Sequence, residues 1–312
     1  MAHIKDNSGN GKYGRTAGYS RSGASMRRTL RREAPSTIGL LADEQDFAAM
    51  RRYRTFAFDD HTVYLQQVEG LLKTLSARGM HATVALFDPE EYAEFCAESG
   101  LVPDDPASRS RFTAEVASAG ATVAYTGQPI DTLIPLLVSR AVRRATWEYA
   151  TMLLAGVGEC AECGQDIGHA AFDRASHLLL RILETAGPGS HHLVCSTPTD
   201  NEHLLAVLHT ERDTTGPARL ESGEGAEFVT VLAVAIALER SGGVVLRTSS
   251  SGAQDRVHGW RLTRGNLLPL SAGEVFSAYC TDADTGEPVA PESHVEYCAG
   301  FDLGADEPES HH

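Results

Sequence analysis

From Thr37 onward the sequence alternates short apolar runs with stretches whose apolar residues recur at helical spacing. That alternation restricts the chain to layers of strands and helices packed on one another. Residues 38–42, 83–87 and 122–125 predict strands. Between the first two, Val63, Leu65, Val68, Leu71, Leu72 and Leu75 mark one face of a helix, with Asp59 or Asp60 placed to cap its start and Gly79 its end. The run Asp88-Pro89-Glu90-Glu91 supplies an N-cap, a proline at the first helical position and an acidic first turn, so a helix begins there. A polar loop over 100–110 and a short helix ending near Gly120 come next. A long helix follows over about 130–155, with Pro135 in its first turns.

A glycine-bearing link over 156–168 opens the second half. Its helix, 170–186, carries Phe172, Ala175, Leu179, Ile182 and Leu183 on one face and stops at Gly187-Pro188-Gly189. Strands are expected at 192–196, 204–209, 244–248, 258–263, 275–280 and 294–298, with a buried helix over 227–240. The predicted fold is α/β. An N-terminal Rossmann-like βα segment with parallel strands occupies 37–156, and an α+β segment with a mainly antiparallel sheet and the CxxC link at its start occupies 157–302. Residues 1–36, rich in Ser, Gly and Arg and without apolar period, are expected to be a disordered basic tail, and 303–312 a short frayed acidic one.

The charge distribution narrows the partners. The chain of 312 residues carries a net charge of −15, which argues against a folded body that wraps nucleic acid. Lys5, Lys12, Arg15, Arg21, Arg27, Arg28, Arg31 and Arg32 nevertheless crowd into residues 1–34 against Asp6 and Glu33 alone, so that arm suits an anionic surface or an acidic protein partner. The polar N-terminus lacks a signal-like apolar core, and the longest apolar run, Phe228 to Leu238, is far short of a bilayer span. A cytoplasmic, non-membrane protein is therefore expected, with its six cysteines as thiols or metal ligands.

The sharpest local motif is Cys160-Ala-Glu-Cys163-Gly164. Two thiolates two residues apart grip one tetrahedral ion, and the following glycine permits a turn whose N–H groups face sulfur; the motif resembles one half of a zinc ribbon or treble-clef knuckle. A structural zinc is the expected cofactor. His169 and Asp173, at i, i+4 on the next helix, can complete the set, as can His192 and Cys195, although an intact helix over 170–186 carries the latter pair far away. A thioredoxin-type site is opposed by the helix that precedes the pair. Deaminase chemistry needs His-x-Glu upstream, whereas His294-Val-Glu296 lies downstream.

Asp43 and Asp88 end the first two strands, with Glu44 and Asp46 close by. Such carboxylates either hold a divalent cation for hydrolysis or phosphoryl transfer, or cap helices. Neither GxGxxG nor a P-loop accompanies them. Asp59-Asp60-His61 reads as a capped helix start, Arg140, Arg143 and Arg144 as a basic helix face, and 249–252 as a loop without a nucleophile-elbow context. The expected function is a binding or regulatory protein, zinc-stapled and recruited to a partner through its basic tail. The alternative is a metal-dependent hydrolase or phosphoryl-transfer enzyme acting through Asp43 and Asp88.

Overall fold

A computed structural model describes residues 36–304 apart from 215, 217, 218, 221, 283 and 284. The basic segment 1–34 and the residues beyond 304 lie outside the described residues. The fold is mixed α/β, with two sheets and, among the described residues, eight helices. The chain divides into two compact units between Ala141 and Val142.

In the N-terminal unit, β1 (Ser36–Leu40) pairs in parallel with β2 (Ala82–Leu86), and β3 (Thr122–Ala124) joins the other edge of β2. The expectation of parallel strands holds for β1 and β2. It fails for β3, which runs antiparallel to β2, because a three-residue strand carries no sequence signal of direction. Helices α1 (Glu44–Met50) and α2 (His61–Ala77) connect β1 to β2, while α3 (Pro89–Ser99) and α4 (Pro106–Ala119) connect β2 to β3. In α2 the expected face holds at Val68 and Leu72, which are buried, and at Leu65 and Leu75, which pack against the same core; Tyr64 joins it, while Val63 and Leu71 stand exposed. The Tyr64 ring packs on Phe47, Phe56 and Phe58, a larger apolar surface than either exposed aliphatic offers. The first turns of α5 (Ile130–Val157) add Ile130, Leu133 and Leu137 to the same core, and Pro135 is accommodated within the helix.

The C-terminal unit carries a sheet in the order β10-β8-β7-β4-β5-β6, with β9 also paired to β8. Its strands are β4 (Gly189–Pro198), β5 (His203–Arg212), β6 (Arg219–Leu220), β7 (Gly242–Ser249), β8 (Asp255–Thr263), β9 (Asn266–Pro269) and β10 (Val295–Tyr297). Neighbours are antiparallel except β10 with β8. Helix α6 (Ile167–Ala186) buries Ala171, Ala175, Leu178, Leu179, Ile182 and Leu183; Phe172 sits at the edge of that face, 37% exposed. Helix α7 (Ser222–Ala237) packs against β4, β5 and α6, and every residue from Phe228 to Ile236 is buried. Residues 275–280, expected as a strand, instead form most of α8 (Ala272–Tyr279). A capping box decides it: the Ser271 hydroxyl accepts from the Glu274 N–H, and the Glu274 carboxylate accepts from the Ser271 N–H. Leu303, expected in a frayed end, is buried in the main core beside Phe301.

Candidate functional site

Two places concentrate chemistry. The first is a cavity of about 840 Å³ in the N-terminal unit, between β1, α4 and the 55–58 loop. Thr37 and Gly39 of β1 and Thr83 of β2 share one sheet face, and the Thr37 and Thr83 hydroxyls, register partners, bond at 2.8 Å. Ser110, Thr113 and Ala117 of α4 face them, and Phe56, Phe58 and Tyr64 supply an aromatic wall. Gly39 lets α4 come this near, since a Cβ there would meet Phe87 at 2.8 Å and the Thr113 hydroxyl at 2.9 Å. Among the described residues lining the cavity, Arg109 and Tyr64 are the ones that ionise. The Arg109 guanidinium donates to the hydroxyl and carbonyl of Thr55, and the Tyr64 hydroxyl accepts from the Leu41 N–H at 3.2 Å. Burial holds the Tyr64 phenol above its ordinary pKa.

The carboxylates at the strand ends are occupied with backbone. Asp43 accepts from the Asp46 N–H at 2.8 Å and caps α1; Asp88 accepts from the Glu90 and Glu91 N–H groups at 2.7 and 3.1 Å and caps α3. Asp60 caps α2 in the same way, and His61 bonds the Leu41 carbonyl through Nε2. The Asp46 carboxyl feels the charges of Asp43 and Asp88. Burial first, then the Asp43 and Asp88 charges, push the Asp46 carboxyl up to about 6 from 3.8.

The folded state thus binds a proton at Asp46 more tightly than the unfolded chain. Its contribution to stability is complete below pH 3.8 and is lost as pH rises toward 6. Asp46→Asn is therefore expected to stabilise the N-terminal unit by about 1 kcal/mol at pH 7, after allowance for solvent screening, and to leave it unchanged below pH 3.8. Thermal melts of both proteins across that window check the sign.

The second place is the turn between α5 and α6. The Cys160 N–H donates to the Gln165 carbonyl and the Gly164 N–H to the Cys160 carbonyl, each at 2.8 Å, while Glu159 and Asp166 form an antiparallel bridge. Gly164 sits at φ 73°, the left-handed conformation that a knuckle requires. The Cys163 N–H, then the Glu162 N–H, and then the Cys163 side chain bond the Cys160 sulfur and hold its thiol below the ordinary value. Both cysteines line a hollow of about 440 Å³ with Asp166, Ile167 and Ala170. Asp166 caps α6 through the His169 N–H, and a Cβ at Gly168 would meet the Leu154 carbonyl at 2.7 Å, so the two helices touch at the foot of the turn.

His169 and Asp173 are brought together, Nδ1 to Oδ2 at 3.2 Å, on an exposed face of α6 and outside the lining of that hollow. Among the described residues, no three His, Cys, Asp or Glu side chains are grouped to hold a metal ion. Cys195 lies in the core of the C-terminal unit, where burial pushes its thiol up to about 12. His192 stacks on His209 at 4.6 Å. Cys280 ends α8 and Cys298 follows β10; both are free thiols. Of the basic helix face, Arg143 pairs with Glu224 and Glu227, and Arg144 with Glu148. Ser249 ends β7 and a turn follows it. The cavity was invisible to sequence reading: its walls come from three separate segments, and hydroxyl-bearing residues on a helix and a strand read as ordinary surface.

Residues 25–128 match a family described as a domain of unknown function, DUF8829. The cavity lies wholly within that stretch and the cysteine turn outside it. No curated protein and no solved structure matches the chain. Among the described residues, no helix is long and apolar enough to cross a membrane.

Proposed function

We propose that the chain is a non-catalytic binding protein of regulatory type. Its N-terminal unit takes a small, largely apolar ligand bearing an anionic or hydrogen-bonding group, its cysteine turn binds zinc, and its basic segment 1–34 recruits an anionic or protein partner. The observation that carries this reading is the cavity: roomy, walled by aromatic rings and hydroxyls, with Arg109 at its rim. The capping bonds of Asp43 and Asp88 support it, because carboxylates turned to helix N-termini are not presented to a substrate. The parallel β1–β2 pair supports reading the unit as a Rossmann-like fragment, in which ligands are expected toward the strand C-termini.

Anilinonaphthalene sulfonate, an apolar ring system with one anionic group, tests the cavity. The native chain is expected to enhance its fluorescence saturably. Ala117→Trp, which fills the cavity from α4, is expected to weaken that binding at least about tenfold, or ~1.4 kcal/mol, with an unchanged circular dichroism spectrum. Equal binding by the variant overturns the assignment. The competing reading, a metal-dependent hydrolase or phosphoryl-transfer enzyme, requires Asp43 and Asp88 to leave their caps for a divalent cation. A rise in melting temperature with Mn²⁺ that Asp43→Asn and Asp88→Asn both abolish would replace our proposal with that one.

A further inference from the structure

We infer that Cys160 and Cys163 close a four-thiolate zinc site with the same two residues of a second copy of the chain, making the cysteine turn a metal-dependent dimer contact. The inference rests on the zinc reading above and adds where the missing ligands come from. A structural zinc ion takes four ligands in tetrahedral array, and a CxxC turn supplies two. The turn has the backbone of its half: Gly164 provides the left-handed residue and donates its N–H to the Cys160 carbonyl at 2.8 Å, and the Cys160 N–H donates to the Gln165 carbonyl at 2.8 Å.

The chain's other thiols do not supply the rest. Cys96, Cys195 and Cys280 are buried, and Cys298 points its sulfur at the Glu296 carbonyl at the end of β10. His169 and Asp173 bond each other, Asp166 caps α6, and among the described residues no three His, Cys, Asp or Glu side chains are grouped to hold a metal ion. The turn, by contrast, stands where the chain reverses between α5 and α6, with Cys163 exposed and the hollow around it open to solvent. An identical pair brought up by a twofold axis through the metal completes the tetrahedron with one kind of contact made twice.

Charge makes the contact conditional. Glu159, Glu162 and Asp166 are exposed around the thiols, so two copies facing each other without a cation repel, and a divalent ion between them is attracted by both. The protein surface that such turns cover is small, so the metal–sulfur bonds hold the pair together and their removal separates it.

Sedimentation of the full chain, titrated with Zn²⁺ alone and then with a chelator, tests this. The expected result is a doubling of mass that saturates at one zinc per two chains and reverses on chelation. Co²⁺ in place of zinc is expected to give the absorption of a four-thiolate tetrahedral site. Cys163→Ser is expected to abolish the dimer and the metal uptake while the metal-free melting curve stays unchanged, whereas His169→Ala with Asp173→Asn leaves both as in the native chain. One zinc per chain without change in mass overturns the shared site yet keeps the zinc reading. In that outcome, loss of uptake in the His169 and Asp173 variant assigns the missing ligands to α6, and retention excludes that pair. No uptake of zinc at micromolar concentration removes both readings, and a mass doubling indifferent to the chelator removes the metal-closed contact.

Discussion

Trp260→Ala is expected to destabilise the C-terminal unit by about 3–5 kcal/mol, read as a shift in the urea midpoint of the full chain. Trp260 is 1% exposed in the middle of β8. Its indole N–H donates to the Phe301 carbonyl at 3.0 Å, and the Phe301 ring meets it edge-on with centroids 4.8 Å apart. The substitution therefore removes a large buried side chain and the anchor of the stretch from Phe301 to Leu303. Limited proteolysis of the folded variant should cut near Phe301, where the native chain resists, and Trp260→Phe should recover most of the packing but not the anchoring hydrogen bond. A variant as stable as the parent would show that β8 does not organise this core.

A loss of about 2–3 kcal/mol is expected for Glu224→Ala, by the same measurement. Strand β6 is two residues long and pairs Thr210 and Glu211, which leaves the His209 N–H beyond its end. The Glu224 carboxylate takes that N–H at 2.8 Å through Oε2 and the Arg143 guanidinium at 3.0 Å through Oε1. Its side chain is 12% exposed, so alanine strands a strand-edge donor and withdraws one of the carboxylates around Arg143. Glu224→Gln keeps an acceptor for His209 and should cost roughly half as much. Equal losses for the two variants would place the effect in the ion pair alone.

Most of the fold could be read from periodicity and punctuation, and the failures share a cause. Helices α2, α3, α5 and α6 and strands β4, β5, β7 and β8 were legible because each repeats its pattern several times and ends on a glycine, proline or capping aspartate. Strands β3, β6 and β9 are two to four residues long, too short for any period, so their pairing is decided by neighbours rather than by themselves. Residues 275–280 mislead because Val, Phe and Tyr favour strands, yet the Ser271–Glu274 capping box outweighs that preference once the segment leaves β9. In α2 only Val63 and Leu71 fall outside the core, and the residue that counting aliphatics alone omits is Tyr64. The candidate sites divide the same way. The CxxC turn is local and legible in five residues, and the caps of Asp43 and Asp88 follow from their place before helices. The cavity is a tertiary product of β1, α4 and a loop, with no signature in any one of them.

Helix α7 has no solvent-facing side over Phe228 to Ile236. Its packing partners α6, β4 and β5 all precede it in the chain, but β7 and β8, which complete the sheet on the other side of β4, follow it, so a chain halted here carries an apolar helix on an unfinished sheet and is the form most exposed to aggregation. Chains cut shortly after Ala237 should accumulate as insoluble material, whereas those extended through β8 recover a closed core. The same enclosure penalises any polar replacement that cannot, as Thr230 does through its hydroxyl on the Ala226 carbonyl, find a partner within the helix.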